Sequence, residues 1–260
     1  MVELTVEGVA SALHRAEQDR VPLAPLSETY PSLTPTQSYA IQSVWLDLKL
    51  KAGRHLIGRK IGLTSRAMQE QLGVDEPDYG FLLDSMWVNS GGMLASSEFI
   101  LPRVEPEIAF WLSEDLIGPG VTVEQVLAAT QGVCASLEIV DSRIENWRIK
   151  LTDTIADNAS SARIVASQQV IPLQGLDLAR IEVTLMRNGE PVGSGNGAAV
   201  LGNPATAVAW LANKLAEFGV RLQKGQVILP GAMCASVFAA PGDTFQAVFT
   251  QLGEVSVSFH

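Results

Sequence analysis

Histidine and cysteine are scarce in this sequence, and their scarcity limits the chemistry that the chain can support. The 260 residues include three histidines, His14, His55 and His260, and two cysteines, Cys134 and Cys234. The histidines form no i, i+4 pair and no H-E-x-x-H motif, which argues against zinc sites of that type and against a Ser-His-Asp triad. The cysteines lie far apart in apolar stretches, a pattern typical of buried free thiols in a reducing cytoplasm. Acid–base or metal chemistry therefore has to come from carboxylates and lysine.

Positive charge and long apolar runs are also scarce. Eighteen Lys and Arg residues against 28 Asp and Glu residues give a formal net charge of −10, which disfavours nucleic acid and anionic membranes as partners. No stretch approaches the roughly 20 apolar residues of a membrane span. The N-terminus lacks the basic start and apolar run of a signal peptide. We therefore expect a cytoplasmic protein that captures any anionic substrate through local cations.

Helical patterns come first along the chain and strand patterns follow. Thr34 and Gln37 form an N-terminal capping box, and Pro35 between them suits the first helical position, so a helix is predicted to start here. Residues 75–83 are predicted to be a turn that leads into an extended segment. The other patterns predict helices over 3–19, 35–52, 65–73, 123–131 and 203–219, strands over 55–64, 102–112 and 134–142, a hairpin over 180–195 and successive strands over 226–259.

This order predicts an α+β fold built around a curled mixed sheet. We expect a helical N-terminal part over residues 1–75 and a β-rich catalytic part over residues 76–260. The two parts could also form one continuous domain.

Three glutamates in predicted strands form the main candidate site. Glu105 and Glu107 are two residues apart, so the strand period places both carboxylates on one face. Such a pair is more often a solvated strand face. That alternative is weakened because the same face continues to the apolar Trp111, and because Glu138 lies inside another apolar strand, where an unpaired charge is costly. One Mg²⁺ or Mn²⁺ ion would satisfy all three carboxylates and leave positions for a 2-oxo or 2-hydroxy acid and for water.

Several other polar residues are candidates of lower specificity. Lys60 shares a strand face with two glycines that would allow close approach, although a lone lysine is more often exposed. Arg59 falls on the opposite face, so one of the two cations is expected to pair internally. Asp78 follows a proline and could be ordinary turn chemistry. Residues 153–161 could begin a helix or line a polar pocket. The glycine-rich segment 193–197 satisfies neither nucleotide-binding motif.

Five segments of the sequence resemble one known family. They are GRKIGLTS, LGVDEPDYGFL, PRVEPEIAF, LEIVDSRIENWRIKLTDTIADNAS and GAAVLGNPATAVAWLANKLAEFG. In order and almost without gaps, they are similar to the 2-keto-4-pentenoate hydratase (2-hydroxypentadienoate hydratase) family of the fumarylacetoacetate hydrolase-like superfamily. The resemblance implies a fumarylacetoacetase-like mixed β-sheet roll or barrel, a Mg²⁺ or Mn²⁺ cofactor and a homo-oligomer. It also implies a role in meta-cleavage degradation of aromatic compounds or steroids.

The resemblance also assigns roles to particular residues. It implies metal ligands at Glu105, Glu107 and Glu138, and catalytic or substrate-binding residues at Lys60, Asp78 and Ser160. One departure is Pro230, because members of the family commonly have Ser or Thr at that position before a glycine. A substrate contact from that hydroxyl is therefore not carried over to this chain.

The activity implied by the resemblance is the addition of water to a 2-hydroxy-2,4-dienoate, which gives a 4-hydroxy-2-oxo acid. The nearest alternative is 4-oxalocrotonate decarboxylase, whose sequences share the glutamates and the lysine but look more like GLKMG and PIYGF. The segments GRKIG and PDYG of this chain favour the hydratase. A more remote alternative is a non-catalytic partner subunit, since the enzymes of such pathways are expected to associate. The complete set of matched residues argues against it.

Overall fold

The computed structural model describes residues 4–65, 69, 70 and 74–260. The helix predicted over 65–73 falls mostly outside these residues. The described helices are α1 (Val6–Asp19), α2 (Leu26–Thr29), α3 (Pro35–Lys51), α4 (Val123–Ala129), α5 (Leu151–Ala156) and α6 (Pro204–Ala216). Among the described residues, none of the helices has the length and apolar character needed to cross a membrane.

Helices α3 and α6 begin where the sequence predicts, whereas α1 begins at Val6, later than the predicted start at residue 3. Thr34 and Gln37 cap α3 reciprocally, as predicted, and Asn203 accepts a hydrogen bond from the first turn of α6. Helix α4 ends at Ala129, earlier than predicted, because the chain passes directly into a strand at Thr130. Local capping interactions therefore determine where α3 and α6 start, whereas pairing with a neighbouring strand determines where α4 ends.

The predicted strands and hairpin all form, whereas the strands over 87–89, 92–94 and 161–166 were not predicted. Asn188 and Gly189 have φ values of 54° and 85°, which confirms the tight turn of the predicted hairpin. The strands are β1 (Leu56–Gly62), β2 (Asp78–Leu83), β3 (Trp87–Asn89), β4 (Gly92–Leu94), β5 (Arg103–Leu112), β6 (Thr130–Val140), β7 (Ser161–Ala166), β8 (Glu182–Arg187), β9 (Glu190–Asn196), β10 (Val227–Leu229), β11 (Val237–Phe238), β12 (Thr244–Phe249) and β13 (Gly253–Phe259).

Two mixed sheets organise these strands and confirm the predicted α+β class. The larger sheet has the order β2-β1-β10-β5-β6-β7-β3, with β11 also paired to β5, and the smaller has the order β4-β13-β12-β8-β9. Strands β1 and β10 are parallel, whereas β5 and β6 form a long antiparallel pair. Strand β1 lies in the same sheet as β2 and β5, so the two predicted parts of the chain share this sheet. The boundary near residue 75 stays a prediction.

The two faces of the larger sheet are covered by different elements. Helices α1 and α3 pack Leu13 and Trp45 against one face, where Ala109 of β5 is buried. The opposite face packs against the smaller sheet and α6. Gln42 of α3 donates hydrogen bonds to the carbonyls of Tyr79 and Ile155, which ties α3 to β2 and α5. Ala109, Glu105 and Glu107 lie on the same face of β5, so the candidate site is on the side of the sheet against which the helices pack.

Candidate active site

The central strand pair brings the three predicted glutamates together. Glu105 lies opposite Glu138 in the register of β5 and β6, and Glu107 follows two residues later on the same face. One carboxylate oxygen from each residue lies within 4.8 Å of the other two. Glu107 and Glu138 are fully buried, and Glu105 is half-buried. The solvated-face alternative is therefore wrong, because Glu107 is fully buried and only Glu105 keeps partial contact with solvent.

This cluster has unused acceptors. Glu107 Oε2 accepts a hydrogen bond from the Gly231 amide at 2.7 Å, but the buried Glu107 Oε1 and Glu138 Oε1 accept none from any described residue. Burial, with Glu138 alongside, raises the pKa of Glu105 to about 7 and that of Glu107 well above its usual range. Converging oxygen donors with unsatisfied lone pairs suit a hard divalent cation, which would also offset their repulsion. The residues present therefore fit such an ion.

Lys60 is the cation that pairs internally. Its side chain is buried, with Nζ 3.1 Å from Glu138 Oε2 and donating a 3.0 Å hydrogen bond to the Ala159 carbonyl. Burial alone would lower the pKa of Lys60, but the facing carboxylates of Glu138 and Asp78 raise it above its ordinary value. Arg59 points to the opposite face, as the strand period predicts. The expectation that one of the two cations is drawn into an ion pair is confirmed.

Asp78 lies beside Lys60 because the first residue of β2 pairs with Gly62 at the end of β1. Asp78 is 1% exposed; its Oδ2 accepts a hydrogen bond from Thr154 Oγ1 at 3.0 Å, and its Oδ1 has no partner among the described residues. Burial raises the pKa of its carboxyl. A Cβ at Gly62 would lie 2.3 Å from Asp78 Oδ1 and 3.4 Å from Lys60 Nζ. Glycine at this position therefore makes room for the acid and the ammonium.

The segment that contains Ser160 is a tight turn after α5. Asn158, Ala159 and Ser160 have φ values of 56°, 47° and 55°, a left-handed conformation that costs L-residues energy. The Asn158 amide clamps this turn to β2 through both backbone groups of Phe81. The Ser160 hydroxyl donates to Asp157 Oδ2 at 3.1 Å. The turn aims the Ala159 carbonyl at Lys60, while a substrate contact from Ser160 stays a prediction.

Asp157 belongs to a buried ion pair that sequence reasoning did not single out. Arg143 Nε lies 2.5 Å from Asp157 Oδ1, and both side chains are almost fully buried. Ser142 Oγ donates to the other carboxylate oxygen of Asp157 at 3.0 Å. This network holds the residue that precedes the strained turn. In the sequence, its only signal was the run of polar residues over 153–161.

An open cleft of about 460 Å³ leads from the solvent to Glu105. Its walls are residues 61–65 at the end of β1 and just beyond it, the side chains of Arg103 and Glu105, and residues 232–236. Cys134 is buried as predicted, but the prediction is wrong for Cys234, which is only half-buried because it lines this cleft. The cysteines form no disulfide. The sequence did not indicate the segment after Gly231, because its role depends on contacts with distant strands.

Gly231 should be intolerant of a side chain. Its φ is +124°, and a Cβ would lie 2.0 Å from Thr64 Oγ1. We expect Gly231→Ala to lower the free energy of unfolding by about 3 kcal/mol or more, since a collision adds to the ~1–2 kcal/mol of backbone strain. Affinity for Mn²⁺ should fall as well, because the Gly231 amide holds Glu107. Urea unfolding and calorimetric Mn²⁺ titration measure the two effects.

Gly242 provides the matched control, because its φ is +88° and a Cβ there would meet nothing within 4 Å. Gly242→Ala should lose only the backbone contribution and bind Mn²⁺ normally. Equal losses in the two variants would show that the approach of Gly231 to Thr64 and Glu107 is unimportant.

Comparison with known proteins gives a consistent assignment. The sequence model described as fumarylacetoacetate (FAA) hydrolase C-terminal matches residues 64–259. The chain is 46% identical over 256 residues to 2-hydroxyhexa-2,4-dienoate hydratase of Comamonas testosteroni, covering 98% of this chain and 97% of that protein. It is 44% identical over 253 residues to 2-keto-4-pentenoate hydratase of Paraburkholderia xenovorans (strain LB400), covering 97% and 94%.

A solved structure agrees with these relatives. The 4-oxalocrotonate decarboxylase from Pseudomonas putida G7, complexed with magnesium and adipate, superposes with a TM-score of 0.96 at 37% identity, and each chain is covered completely. The fold, together with 44–46% sequence identity to hydratases over nearly the full length of the chain, shows that this chain belongs to the 2-keto-4-pentenoate hydratase family of the fumarylacetoacetate hydrolase superfamily.

Proposed function

We propose that this chain is a divalent-metal-dependent hydratase that adds water to a small 2-hydroxy-2,4-dienoate. The observation that carries the proposal is the group of three converging carboxylates, two of them fully buried, with Lys60 and Asp78 beside it, at the end of an open cleft. The proposal is supported by the similarity of this chain to known hydratases and by the magnesium bound in the similar decarboxylase structure. The product would be a 4-hydroxy-2-oxo acid, formed during meta-cleavage degradation of aromatic compounds or steroids.

Each polar residue of the site has a proposed role. Glu105, Glu107 and Glu138 would hold a Mg²⁺ or Mn²⁺ ion, which supplies Lewis-acid polarisation of the substrate's C2 oxygen. The Lys60 ammonium offers positive charge to the substrate carboxylate or to a developing enolate. Asp78, whose Oδ1 is unoccupied by any described donor, handles water or a transferred proton. Ser160 would hydrogen-bond the substrate.

The reaction divides into two proton-balanced steps. Loss of the C2 hydroxyl proton and protonation at C5 convert the dienol into a 2-oxo-3-enoate. Water then adds at C4, and its second proton goes to C3. The chain's contribution is to hold the acid end of the substrate and to place a proton carrier beside the carbon skeleton.

Decarboxylation of 2-oxo-3-hexenedioate is a second candidate because the decarboxylase structure superposes so closely. Both reactions need the same dienol to be held at one end, so the glutamates and Lys60 serve either. Asp78 favours the hydratase, because a buried carboxylate beside Lys60 with one oxygen that no described residue contacts by a hydrogen bond can position water. Decarboxylation needs no such water.

A spectrophotometric assay with Mn²⁺ tests the proposal. The purified chain would be given 2-hydroxypenta-2,4-dienoate, 2-hydroxyhexa-2,4-dienoate and 2-oxo-3-hexenedioate, with CO₂ release followed in parallel. We expect loss of dienoate absorbance without CO₂, and no turnover in excess chelator. CO₂ release as the faster reaction would assign the decarboxylase. No turnover of any of the three compounds would indicate a non-catalytic partner subunit. Full turnover in chelator would contradict the metal's role.

Stabilisation by Mn²⁺ should increase with pH. In the metal-free chain the pKa of Glu105 is about 7, above its ordinary value of 4.5. Folded Glu105 therefore keeps a proton that the unfolded chain has lost, and metal-free stability falls as pH rises between these values. A bound cation stabilises the ionised carboxylate and so cancels the fall in stability at high pH. The rise in Tm on adding Mn²⁺ should therefore be larger at about pH 8 than at about pH 5.5. A Tm increment independent of pH would contradict this prediction.

We further propose a cytoplasmic homo-oligomer that associates with a neighbouring enzyme of its pathway. The support is the resemblance to the family together with the acidic, cysteine-poor composition. Light scattering after size exclusion tests the oligomer, and co-elution with the decarboxylase of the same pathway tests the association.

A further inference from the structure

The outer part of the cleft contains a cation that the proposed reaction does not use. Arg103 lies on β5 two residues before Glu105, and the strand period places it on the same face as Glu105 and Glu107. A two-residue step along a strand spans roughly 6.5–7 Å. The cleft therefore runs from the acidic cluster to a guanidinium, and both Glu105 and Arg103 line it.

The contacts of Arg103 hold its guanidinium in place through uncharged groups. Its carbon Cζ lies 3.9 Å from the ring centre of Phe238 and 4.8 Å from that of Trp147. Its Nη1 donates a 3.2 Å hydrogen bond to Ser236 Oγ, and its buried Nε has no acceptor among the described residues. No carboxylate in the described part of the chain forms an ion pair with it. The Glu105 carboxylate acts on the guanidinium only from beyond ion-pair distance, so Arg103 is a preorganised donor with no anion in direct contact among the described residues.

The charge of the site also calls for a cation at this position. The carboxylates of Glu105, Glu107, Glu138 and Asp78 outnumber by one the positive charges of Lys60 and a divalent ion. An anionic substrate would therefore enter a cleft that is already negative, on a chain with a net charge of −10. Because Lys60 is paired with Glu138, Arg103 is, among the described residues of the cleft wall, the cation that is left to bind a second negative charge.

We propose that Arg103, oriented by Ser236, forms a subsite for a carboxylate at the far end of the substrate. The substrate class would then include 2-hydroxy-2,4-dienes with a carboxylate at each end. The assignment of the near end to the three glutamates rests on the proposed function. Between the two ends, Leu63 and Met233 line the cleft with apolar surface that suits a hydrocarbon chain of six or seven carbons.

Calorimetric binding of 2-oxoadipate and 2-oxohexanoate to the Mg²⁺-loaded full chain tests the subsite. Both probes have six carbons and the same 2-oxo acid end, and neither has the diene that hydration requires. They differ only in a distal carboxylate against a methyl group. We expect wild type to bind 2-oxoadipate about 10-fold or more tightly than 2-oxohexanoate, the scale of one charge-assisted hydrogen-bonded pair. In Arg103→Met the two affinities should come within about 2-fold, through weaker binding of 2-oxoadipate.

Two further variants guard this test. Arg163→Met is the matched control, because Arg163 also lies over an aromatic ring, that of Phe99 at 5.3 Å, but pairs with Glu98 and lines no part of the cleft. It should keep the wild-type preference. Arg103→Lys retains the charge without the planar fork, so it should keep part of the preference and covers the case in which Arg103→Met does not fold.

Three results would overturn the subsite. They are equal affinities of the two probes for wild type, a preference for 2-oxoadipate that persists in Arg103→Met, or an equal loss of affinity for both probes in that variant. The probes do not react, so binding is independent of turnover. A preference that depends on Arg103, in a chain that hydrates no dienoate, would uphold the subsite and refute the hydratase proposal.

Discussion

Glu107→Gln is expected to lower turnover by about 10³-fold or more, which corresponds to ~4 kcal/mol of transition-state stabilisation. The reason is that an amide cannot replace an anionic ligand in a group of three carboxylates. Affinity for Mn²⁺ should fall in parallel. The metal-free variant should unfold at the same or a higher urea concentration than wild type, because burial and Glu138 already raise the pKa of Glu107. The Gln oxygen can still accept from the Gly231 amide.

Initial rates, Mn²⁺ calorimetry and urea unfolding in chelator measure the three effects. Glu182→Gln is the control, since Glu182 is an exposed strand residue outside the site and should change none of them. Wild-type turnover in Glu107→Gln would remove Glu107 from the metal site. A large loss of metal-free stability would show that its buried charge is compensated by something other than a cation.

Lys60→Ala has the second largest expected effect. We expect kcat/KM to fall by about 10²–10³-fold, or ~3–4 kcal/mol, if the ammonium stabilises negative charge on the reacting substrate. The variant also leaves Glu138 buried without its partner at 3.1 Å. The free energy of unfolding without metal should therefore fall by about 3–5 kcal/mol, the usual effect of breaking a buried pair. Saturating Mn²⁺ should restore part of the stability but not the activity.

Separating activity from stability requires a second ion-pair variant, here at a partly buried pair. Lys49→Ala breaks the ion pair between Lys49 of α3 and Glu17 of α1, which lies outside the cleft. It should lower Tm while leaving kcat/KM of the folded enzyme unchanged. If Lys60→Ala turned over substrate like wild type at saturating Mn²⁺, Lys60 would have only a structural role.

Much of the fold could be predicted because its signals are local. The capping box of Thr34 and Gln37 and the Asn188-Gly189 turn each depend on a few neighbouring residues, and each forms as predicted. The strand period also placed Glu105 and Glu107 on one face, and the same period would have added Arg103. Where the prediction was wrong, as for the end of α4 and the exposure of Cys234, the deciding contacts come from strands distant in sequence.

The sequence by itself determined the composition of the site: carboxylates and a lysine, too few histidines and cysteines for other chemistry, and the strand faces on which these residues lie. Only the tertiary structure decided that Glu107 and Glu138 are fully buried while Glu105 still reaches the cleft. That outcome depends on the elements that pack on this face of the sheet and on the register that sets Glu105 opposite Glu138. The strained turn at Ala159 and the approach of Gly231 to Glu107 were also decided there, because a contact between distant segments depends on packing rather than on any local preference.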